Sequence, residues 1–292
     1  MDFLVPASTP PIPLKDFLRH HIGISLTNWR KIKHTGTLLV NHQSIPVNYI
    51  VHPGDTITVN WSQDCTIVPS ALPLTIRYED PYLLIIDKPA GMLVHPTTSE
   101  HFATLANAVM YYYQTKQLPY GFHPVHRLDR NTSGLVLIAK LPHIQHLLSR
   151  NEIKNINRQY VALTSGIILP IEGTIHAPIA RHPDSIIERI VDPSGQDATT
   201  CYKVIEHLHN VSLVELTLLT GRTHQIRVHL SHIGHPLLGD DLYGGPTDLI
   251  ARQALHATTL YFTHPVTKET IHVTSPLPID LQNLISSLHP CS

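Results

Sequence analysis

The first part of the chain combines apolar residues at helical spacing with short runs that are typical of strands. Two helices are predicted, by Leu14, Phe17 and Leu18 in the first and by Leu26 and Trp29 in the second. Ser25 or Thr27 is suited to cap the second helix, and Gly36 is suited to end it. Three strands are predicted at residues 37–40, 47–51 and 56–60. We therefore expect a small α/β module over residues 14–60.

The remainder of the chain mixes strand and helix patterns without regular alternation. Strands are predicted at residues 74–78, 82–86, 135–139 and 215–218. Helices are predicted around residues 105–112, after Pro142 and around residues 226–233. Because these patterns do not repeat as βαβ units, they favour an α+β fold over a doubly wound α/β fold.

Proline-rich and polar stretches suggest where the units are separated. Residues 1–13 contain several prolines and are expected to form a loosely ordered N-terminal tail. Residues 61–73 are predicted to be a linker, which leaves residues 74–288 as the main domain. The length of 292 residues is consistent with one large domain and a small partner.

Composition excludes some classes of protein. With 42% apolar and 15% charged residues and a net charge of −1, the chain is not of the disordered type. The overall charge gives no general reason to bind nucleic acid, but charge is unevenly distributed. Residues 14–42 hold five basic residues against the single acid Asp16: Lys15, Arg19, Arg30, Lys31 and Lys33. Such a local basic stripe can bind phosphate groups.

Targeting and redox signals are weak. The N-terminus has no basic segment followed by an apolar core, and no stretch is long and apolar enough to span a bilayer. The three cysteines, Cys65, Cys201 and Cys291, form no CxxC pair. We expect a soluble, cytoplasmic protein that does not associate with membranes.

One polar cluster, residues 126–134, immediately precedes the apolar run at 135–139. In it Asp129 lies between Arg127 and Arg130, whose guanidinium groups would favour the ionised carboxylate as a nucleophile or base. The alternative is a surface turn held by ion pairs, and spacing alone does not decide between the two.

Two further clusters have equally ordinary alternatives. His224 and Arg227 are three residues apart and would share one helix face, which by itself is more typical of a solvated surface. Tyr160 begins an apolar run, where a tyrosine is usually part of the core.

Several cofactor patterns are missing. There is no GxGxxG or Walker sequence, and the HRLD sequence at 126–129 lacks the other kinase motifs. The pairs His143/His146 and His232/His235 have no accompanying HExxH arrangement. We expect no cofactor and no metal.

These clusters resemble, in order and over nearly the whole chain, the RluA-type pseudouridine synthases. The matching segments are residues 87–91 (DKPAG), 126–140 (HRLDRNTSGLVLIAK), 158–163 (RQYVAL), 221–230 (GRTHQIRVHL) and 234–244 (GHPLLGDDLYG). Residues 14–60 resemble the small RNA-binding module first known from ribosomal protein S-four. The resemblance implies the pseudouridine synthase fold, with a central mixed, largely antiparallel sheet flanked by helices and loops.

The resemblance also implies roles for individual residues. The catalytic aspartate falls on Asp129, the active-site tyrosine on Tyr160 and the arginine that pairs with the aspartate on Arg227. Arg127 corresponds to the arginine that helps to displace the target base. Other residues of these motifs are expected to bind substrate: Arg130, Thr132, Arg222, His224 and Gln225. Gln196 stands where the family often has lysine, so one contact to the RNA backbone is in doubt.

The implied activity is isomerisation of uridine to pseudouridine after base flipping, in large-subunit ribosomal RNA first and transfer RNA second. Asp129 would either attack the anomeric carbon or remove a proton from the ribose 2′ position. The sequence does not distinguish between these two mechanisms. The alternative is an RNA-binding or ribosome-assembly protein with a vestigial site. We expect a monomer.

Overall fold

The computed structural model describes residues 1–61, 66–149 and 156–289. Its helices are α1 (Leu14–Asp16), α2 (Leu26–Thr35), α3 (Leu105–Thr115), α4 (Pro142–Ser149), α5 (Gln225–His232) and α6 (Ile279–Leu288). The strands up to the first third of the chain are β1 (Asp2–Leu4), β2 (Ile12–Pro13), β3 (Thr37–Val40), β4 (Gln43–Ser44), β5 (Ile50–Val51), β6 (Thr56–Asn60), β7 (Thr75–Glu79) and β8 (Leu83–Lys88).

The later strands are β9 (His123–Pro124), β10 (Ser133–Ala139), β11 (Asn157–Ser165), β12 (Glu172–His176), β13 (Ile179–Arg181), β14 (Arg189–Val191), β15 (Thr199–Leu208), β16 (Val211–Leu218), β17 (Leu255–Thr263) and β18 (Thr270–Thr274). A π-helical turn at Phe17–His21 continues α1, and a 3-10 turn covers Asp241–Tyr243.

The N-terminal residues fold around a core of their own. A four-stranded sheet in the order β1-β6-β3-β4 packs against α1, its π-helical continuation and α2. Ser25 caps α2, since its side chain accepts a hydrogen bond from the backbone N–H of Asn28. Leu26 and Trp29 were both predicted to face inward; Trp29 is buried, but Leu26, the first residue of the helix, is 40% exposed.

The expectation of a loosely ordered tail at residues 1–13 is wrong. Strand β1 pairs antiparallel with β6, and the terminal ammonium of Met1 donates to the carbonyl of Val59 at 3.0 Å. Val5 is buried in the same core as Trp29 and Ile57. Local proline content did not predict this order, because the partner strand lies more than 50 residues away.

One predicted strand is shorter than expected and another was missed. The run at 47–51 is reduced to β5, and β4 forms a hairpin with β3 through a two-residue turn. Both turn residues, Asn41 and His42, have positive φ angles of 50° and 66°. This is the geometry of a type I′ hairpin turn, for which asparagine is well suited.

The main sheet has ten strands, in the order β12-β15-β16-β11-β17-β10-β8-β7, with β18 beside β17 and β9 beside β10. Among the described pairings, β10 with β17 is parallel and the others of this sheet are antiparallel. The α+β class and the mixed, largely antiparallel sheet are therefore confirmed. Strand β10 is buried over its whole length, as its run of apolar residues predicted.

Strand β10 can approach β17 closely because it contains Gly134. A Cβ atom at this position would lie 2.2 Å from the carbonyl oxygen of Ala257, and the φ angle is +112°. Only glycine avoids both the collision and the unfavourable backbone angle. The start of β10, which follows the loop with Asp129, is thereby held against β17. Because β17 also pairs with β11, the loop has a fixed position relative to β11 as well.

The predicted linker is described at residue 61 and from residue 66 onward, and its second part is tied to α3. The side-chain amide of Asn107 donates to the carbonyl of Val68 at 2.7 Å. Cys65 and Cys291 lie outside the described residues, and Cys201 is a free thiol. No helix in the described ranges is long and apolar enough to cross a membrane.

Candidate active site

Asp129 lies in the loop that leads into β10, between two buried anchors. Its neighbour Leu128 packs in the main core, and the backbone N–H of Thr132 donates to the carbonyl of Asp129 at 3.2 Å. The carboxylate itself faces a cavity and keeps 23% of its side-chain surface exposed. The loop therefore presents one acidic group to a space that substrate can enter.

Arg227 is in direct contact with this carboxylate. Its Nη1 donates to Oδ2 of Asp129 at 3.3 Å. The arginine lies on α5 beside Ile226, which packs in the main core, and it is only 7% exposed. The alternative of a solvated helix face is therefore wrong for Arg227, because tertiary packing covers this side of α5.

Asp240 fixes the guanidinium of Arg227. Nε and Nη2 of Arg227 each donate to one carboxylate oxygen of Asp240, both at 2.7 Å, and Asp240 is almost fully buried. The ring of Tyr243 lies against the same guanidinium, 4.9 Å from its carbon atom. Burial alone would lower the pKa of Arg227, but the hydrogen bonds and charge of Asp240, with the charge of Asp129, raise it.

His224 connects Tyr243 to Asp129. Its Nδ1 is 2.7 Å from the Tyr243 hydroxyl, and its Nε2 is 3.8 Å from Oδ2 of Asp129. The residue precedes α5 in a left-handed conformation with φ +58°, so it is not on the helix face that sequence spacing predicted. Burial lowers its pKa, which the charge of Asp129 only partly offsets.

Tyr160 closes the inner end of the cavity from β11. It is 4% exposed and belongs to the main core, as its place in an apolar run suggested, and it also lines the cavity. Burial raises the pKa of its hydroxyl to about 12, with the charge of Arg158 acting in the opposite direction. The phenol is therefore neutral near pH 7, and its ring faces the space beside Asp129.

The cavity has a volume of about 450 Å³ and collects most of the residues that the sequence singled out. Its lining includes Arg127, Asp129, Thr132, Tyr160, Arg222, His224, Gln225 and Arg227. Arg130 is absent from the lining, because its guanidinium turns away to pair with Glu100. Arg130 therefore does not reach the cavity in this structure, and its role in binding substrate stays a prediction.

Gln225 and Thr132 are engaged mainly within the protein. The side-chain amide of Gln225 accepts from Thr220 and Arg222 and donates to two atoms of β15. The Thr132 hydroxyl accepts from Gln253 at 3.2 Å. Both residues hold the loops that carry Arg222 and Asp129.

The family described as RNA pseudouridylate synthase matches residues 82–232. The chain belongs to the RNA pseudouridine synthase family. Among curated relatives, an uncharacterized RNA pseudouridine synthase, YjbO of Bacillus subtilis (strain 168), is 42% identical over 270 residues, covering 90% of this chain and 95% of the relative.

The chain is also similar to a curated ribosomal enzyme and to a solved human structure. Ribosomal large subunit pseudouridine synthase D of Haemophilus ducreyi is 42% identical over 235 residues, covering 75% of this chain and 72% of the relative. The solved structure of human RNA Pseudouridylate Synthase Domain Containing 1 superposes with a TM-score of 0.59 at 28% identity, covering 74% of this chain and 94% of that one. This pseudouridine synthase is therefore an isomerase, and it has the fold of its family.

The synthase also contains a buried lysine that sequence reasoning missed. Lys88, at the end of β8, is fully buried, and its Nζ donates to the carbonyls of Pro89, Met92 and Arg130 at 2.8–3.0 Å. Burial lowers its pKa to about 7, with the charge of Asp129 opposing this shift. Lys88 ties the backbone after Asp129 to the loop that follows β8.

Asp240 and Tyr243 were missed as well. Both lie in the matching segment 234–244, but two adjacent aspartates occur there and sequence does not tell which one faces Arg227. Within the described residues, no group of three or more metal-ligating side chains is arranged around a common point.

The basic residues of the N-terminal module lie mostly on its surface. Lys15, Arg30, Lys31 and Lys33 are exposed, whereas Arg19 is half-buried. Gln196, where the family often has lysine, is also exposed, and its backbone pairs with Ile179. These side chains are accessible to a large polyanion.

Proposed function

We propose that this synthase isomerises uridines of large-subunit ribosomal RNA, with Asp129 as the catalytic carboxylate. The observation that carries the proposal is the pairing of Asp129 with the buried Arg227 at the wall of a nucleoside-sized cavity. The ribosomal target rests on the names of relatives such as ribosomal large subunit pseudouridine synthase D. Transfer RNA is the second candidate substrate.

The reaction breaks the bond between C1′ of the ribose and N1 of uracil and forms a bond between C1′ and C5. The proton on C5 is lost and N1 gains a proton, so the isomerisation needs no net oxidant or reductant. Asp129 either attacks C1′ or removes the 2′ proton of the ribose, and Arg227 keeps it ionised and oriented. Tyr160 stacks on the uracil, and its neutral hydroxyl assists removal of the C5 proton as a hydrogen-bonding group rather than as the base.

When a base flips out, a side chain can fill the space that it leaves between the neighbouring bases, and Arg127 is suited to this role. It lies exposed at the edge of the cavity, beside Asp129 in sequence. Extruding a nucleotide from a helix costs a few kcal/mol, which contacts in the cavity and at the vacated position can offset. We assign Arg222 and His224, which also line the cavity, to further substrate contacts.

The N-terminal module is proposed to bind RNA outside the cavity. Residues 14–60, together with the strand β1 that completes their sheet, carry the exposed side chains of Lys15, Arg30, Lys31 and Lys33. Arg19 is a weaker contributor, because it is half-buried. RNA affinity is expected to fall with salt, as for other phosphate-binding surfaces.

The test is pseudouridine mapping by carbodiimide modification of in vitro-transcribed ribosomal and transfer RNA, with and without the protein. We expect new pseudouridines in the large-subunit transcript, and none with Asp129→Asn, which should retain RNA binding. Asp241→Asn serves as a matched control, since Asp241 is exposed and faces solvent beside the buried Asp240. Turnover by the Asp129→Asn protein would refute the assignment of Asp129.

A further inference from the structure

Arg158 lines the active-site cavity, yet the roles proposed above do not use it. It lies on β11 two residues before Tyr160, so the two side chains project from the same face of the strand. Its charge acts on both the Tyr160 hydroxyl and the imidazole of His126. The guanidinium is therefore close to the place where the uracil ring is proposed to stack.

The hydrogen-bonding capacity of Arg158 is largely unused. Nη2 donates to the carbonyl of Thr220 over a long distance of 3.4 Å. Nε is shielded from solvent and, within the described residues, has no hydrogen-bond partner. A guanidinium has five N–H groups in a fixed plane, so most of this donor set remains available.

Gly221 gives the guanidinium its room. A Cβ atom at residue 221 would lie 2.8 Å from Nη1 of Arg158, closer than non-bonded atoms normally approach. The atom in its way is the end of a flexible side chain, so a methyl group would displace the guanidinium rather than unfold the turn. The position of Arg158 therefore depends on the absence of a side chain at Gly221.

The charge around the cavity favours an anionic ligand for Arg158. Of the described residues that line it, Asp129 is the one that carries a carboxylate, whereas four arginines line the same space: Arg127, Arg158, Arg222 and Arg227. Arg227 is engaged by Asp240 and Asp129, and Nε of Arg222 donates to the carbonyl of Asp197. The ion pairs that arginines form with carboxylates in the described residues do not include Arg158.

We propose that Arg158 binds a backbone phosphate of the RNA next to the flipped uridine, and that Gly221 keeps the space in which it does so. The planar fork of a guanidinium matches two phosphate oxygens, which a lysine ammonium cannot contact in the same way. This inference rests on the proposed function, because an RNA strand must enter the cavity. It assigns a substrate-binding role to a residue two positions from Tyr160.

The first test measures binding of in vitro-transcribed large-subunit ribosomal RNA at several salt concentrations. To separate binding from turnover, all variants carry Asp129→Asn. Arg158→Gln should weaken binding about tenfold near 0.1 M salt, the size of one charge-assisted hydrogen bond. It should also reduce the slope of log affinity against log salt concentration by about 0.7 to 0.9, the value for one phosphate contact. Lys203→Gln removes an exposed charge on β15 and should change neither quantity.

The second test is a double-mutant cycle with Gly221→Ala. If the methyl group displaces the guanidinium, Gly221→Ala should weaken RNA binding nearly as much as Arg158→Gln does. The double variant should then bind RNA no more weakly than Arg158→Gln alone. Arg158→Lys keeps the charge and should restore most of the salt slope but not the full affinity. In the protein with Asp129 intact, KM should rise while kcat changes little.

An unchanged salt slope in Arg158→Gln, or additive losses in the double variant, would overturn the proposal. Circular dichroism and thermal melting show whether each variant is folded. If Arg158→Gln does not fold, the RNA affinity and salt slope of Gly221→Ala test the proposal in its place. Absence of pseudouridine formation by the unmodified protein would refute the proposed function instead. The binding measurements would still decide the role of Arg158, since they do not depend on turnover.

Discussion

Asp240 provides the most direct test of how the active site is held. The carboxylate is 1% exposed, and it accepts two hydrogen bonds from Arg227, each at 2.7 Å. Asp240→Asn removes the negative charge and replaces one acceptor oxygen with an NH₂ group. That NH₂ would point at an N–H of Arg227, so one of the two hydrogen bonds is lost and two donors face each other.

The size of the effect follows from the surroundings of Arg227. Removing one partner of a buried ion pair typically costs about 3–5 kcal/mol, because the other charge is left without compensation. Here Asp129 remains 3.3 Å from the same guanidinium, and asparagine retains one acceptor. We therefore expect a loss at the lower end of this range, about 3 kcal/mol in the free energy of unfolding.

Activity should fall as well, because Arg227 would no longer be held toward Asp129. A loss of only 1.4–2.7 kcal/mol in transition-state stabilisation corresponds to a decrease in kcat of about tenfold to a hundredfold. Stability is measured by urea denaturation and activity by pseudouridine mapping on the same transcript. Asp241→Asn is the matched control, since that neighbouring carboxylate is exposed. If Asp240→Asn were as stable and active as Asp241→Asn, the buried pair would have no role in holding the site.

Two further predictions concern buried groups near the cavity. Burial lowers the pKa of His126 to about 3 from its ordinary value of 6.5, so below pH 6.5 the unfolded chain takes up a proton that the folded protein refuses. Because of this group, the free energy of unfolding should fall by about 2 kcal/mol between pH 7 and pH 5. In urea denaturation, a His126→Asn variant should lack this part of the pH dependence. An equal pH dependence of the two proteins would contradict the prediction. Lys88→Met should lower the free energy of unfolding by about 3 kcal/mol, since three buried carbonyl oxygens lose their donor. A value from urea denaturation within about 1 kcal/mol of that of the original protein would contradict this.

Some elements of the fold could be predicted from neighbouring residues alone, whereas others, among them β12, β15, β18 and α6, were not predicted. The helix at Leu26–Thr35, the strand at Thr56–Asn60 and the buried strand β10 were found, because their spacing, caps and apolar runs act over a few residues. The tail at residues 1–13 could not be predicted in this way. Its order depends on pairing with β6, which is distant in the chain.

The active site shows the same division. Asp129, Tyr160 and Arg227 were found by their motifs, and the structure brings all three to one cavity. Asp240 was missed because its role depends on its distance to Arg227, and no local pattern separates it from Asp241. Arg130 has the same residue type as Arg127 but turns to Glu100, outside the cavity.

The sequence by itself determined the fold class, part of the helices and strands, and the segments that carry the chemistry. Periodicity, turn residues and motifs are local properties, and they can be recognised without knowledge of how the chain folds. Only the tertiary structure decided which side chains meet: Arg227 with Asp240 and Asp129, Lys88 with the loop after Asp129, and Arg158 with the space at Gly221. These contacts join segments that are up to 98 residues apart in sequence, and their geometry is set by the packing of the sheet between them.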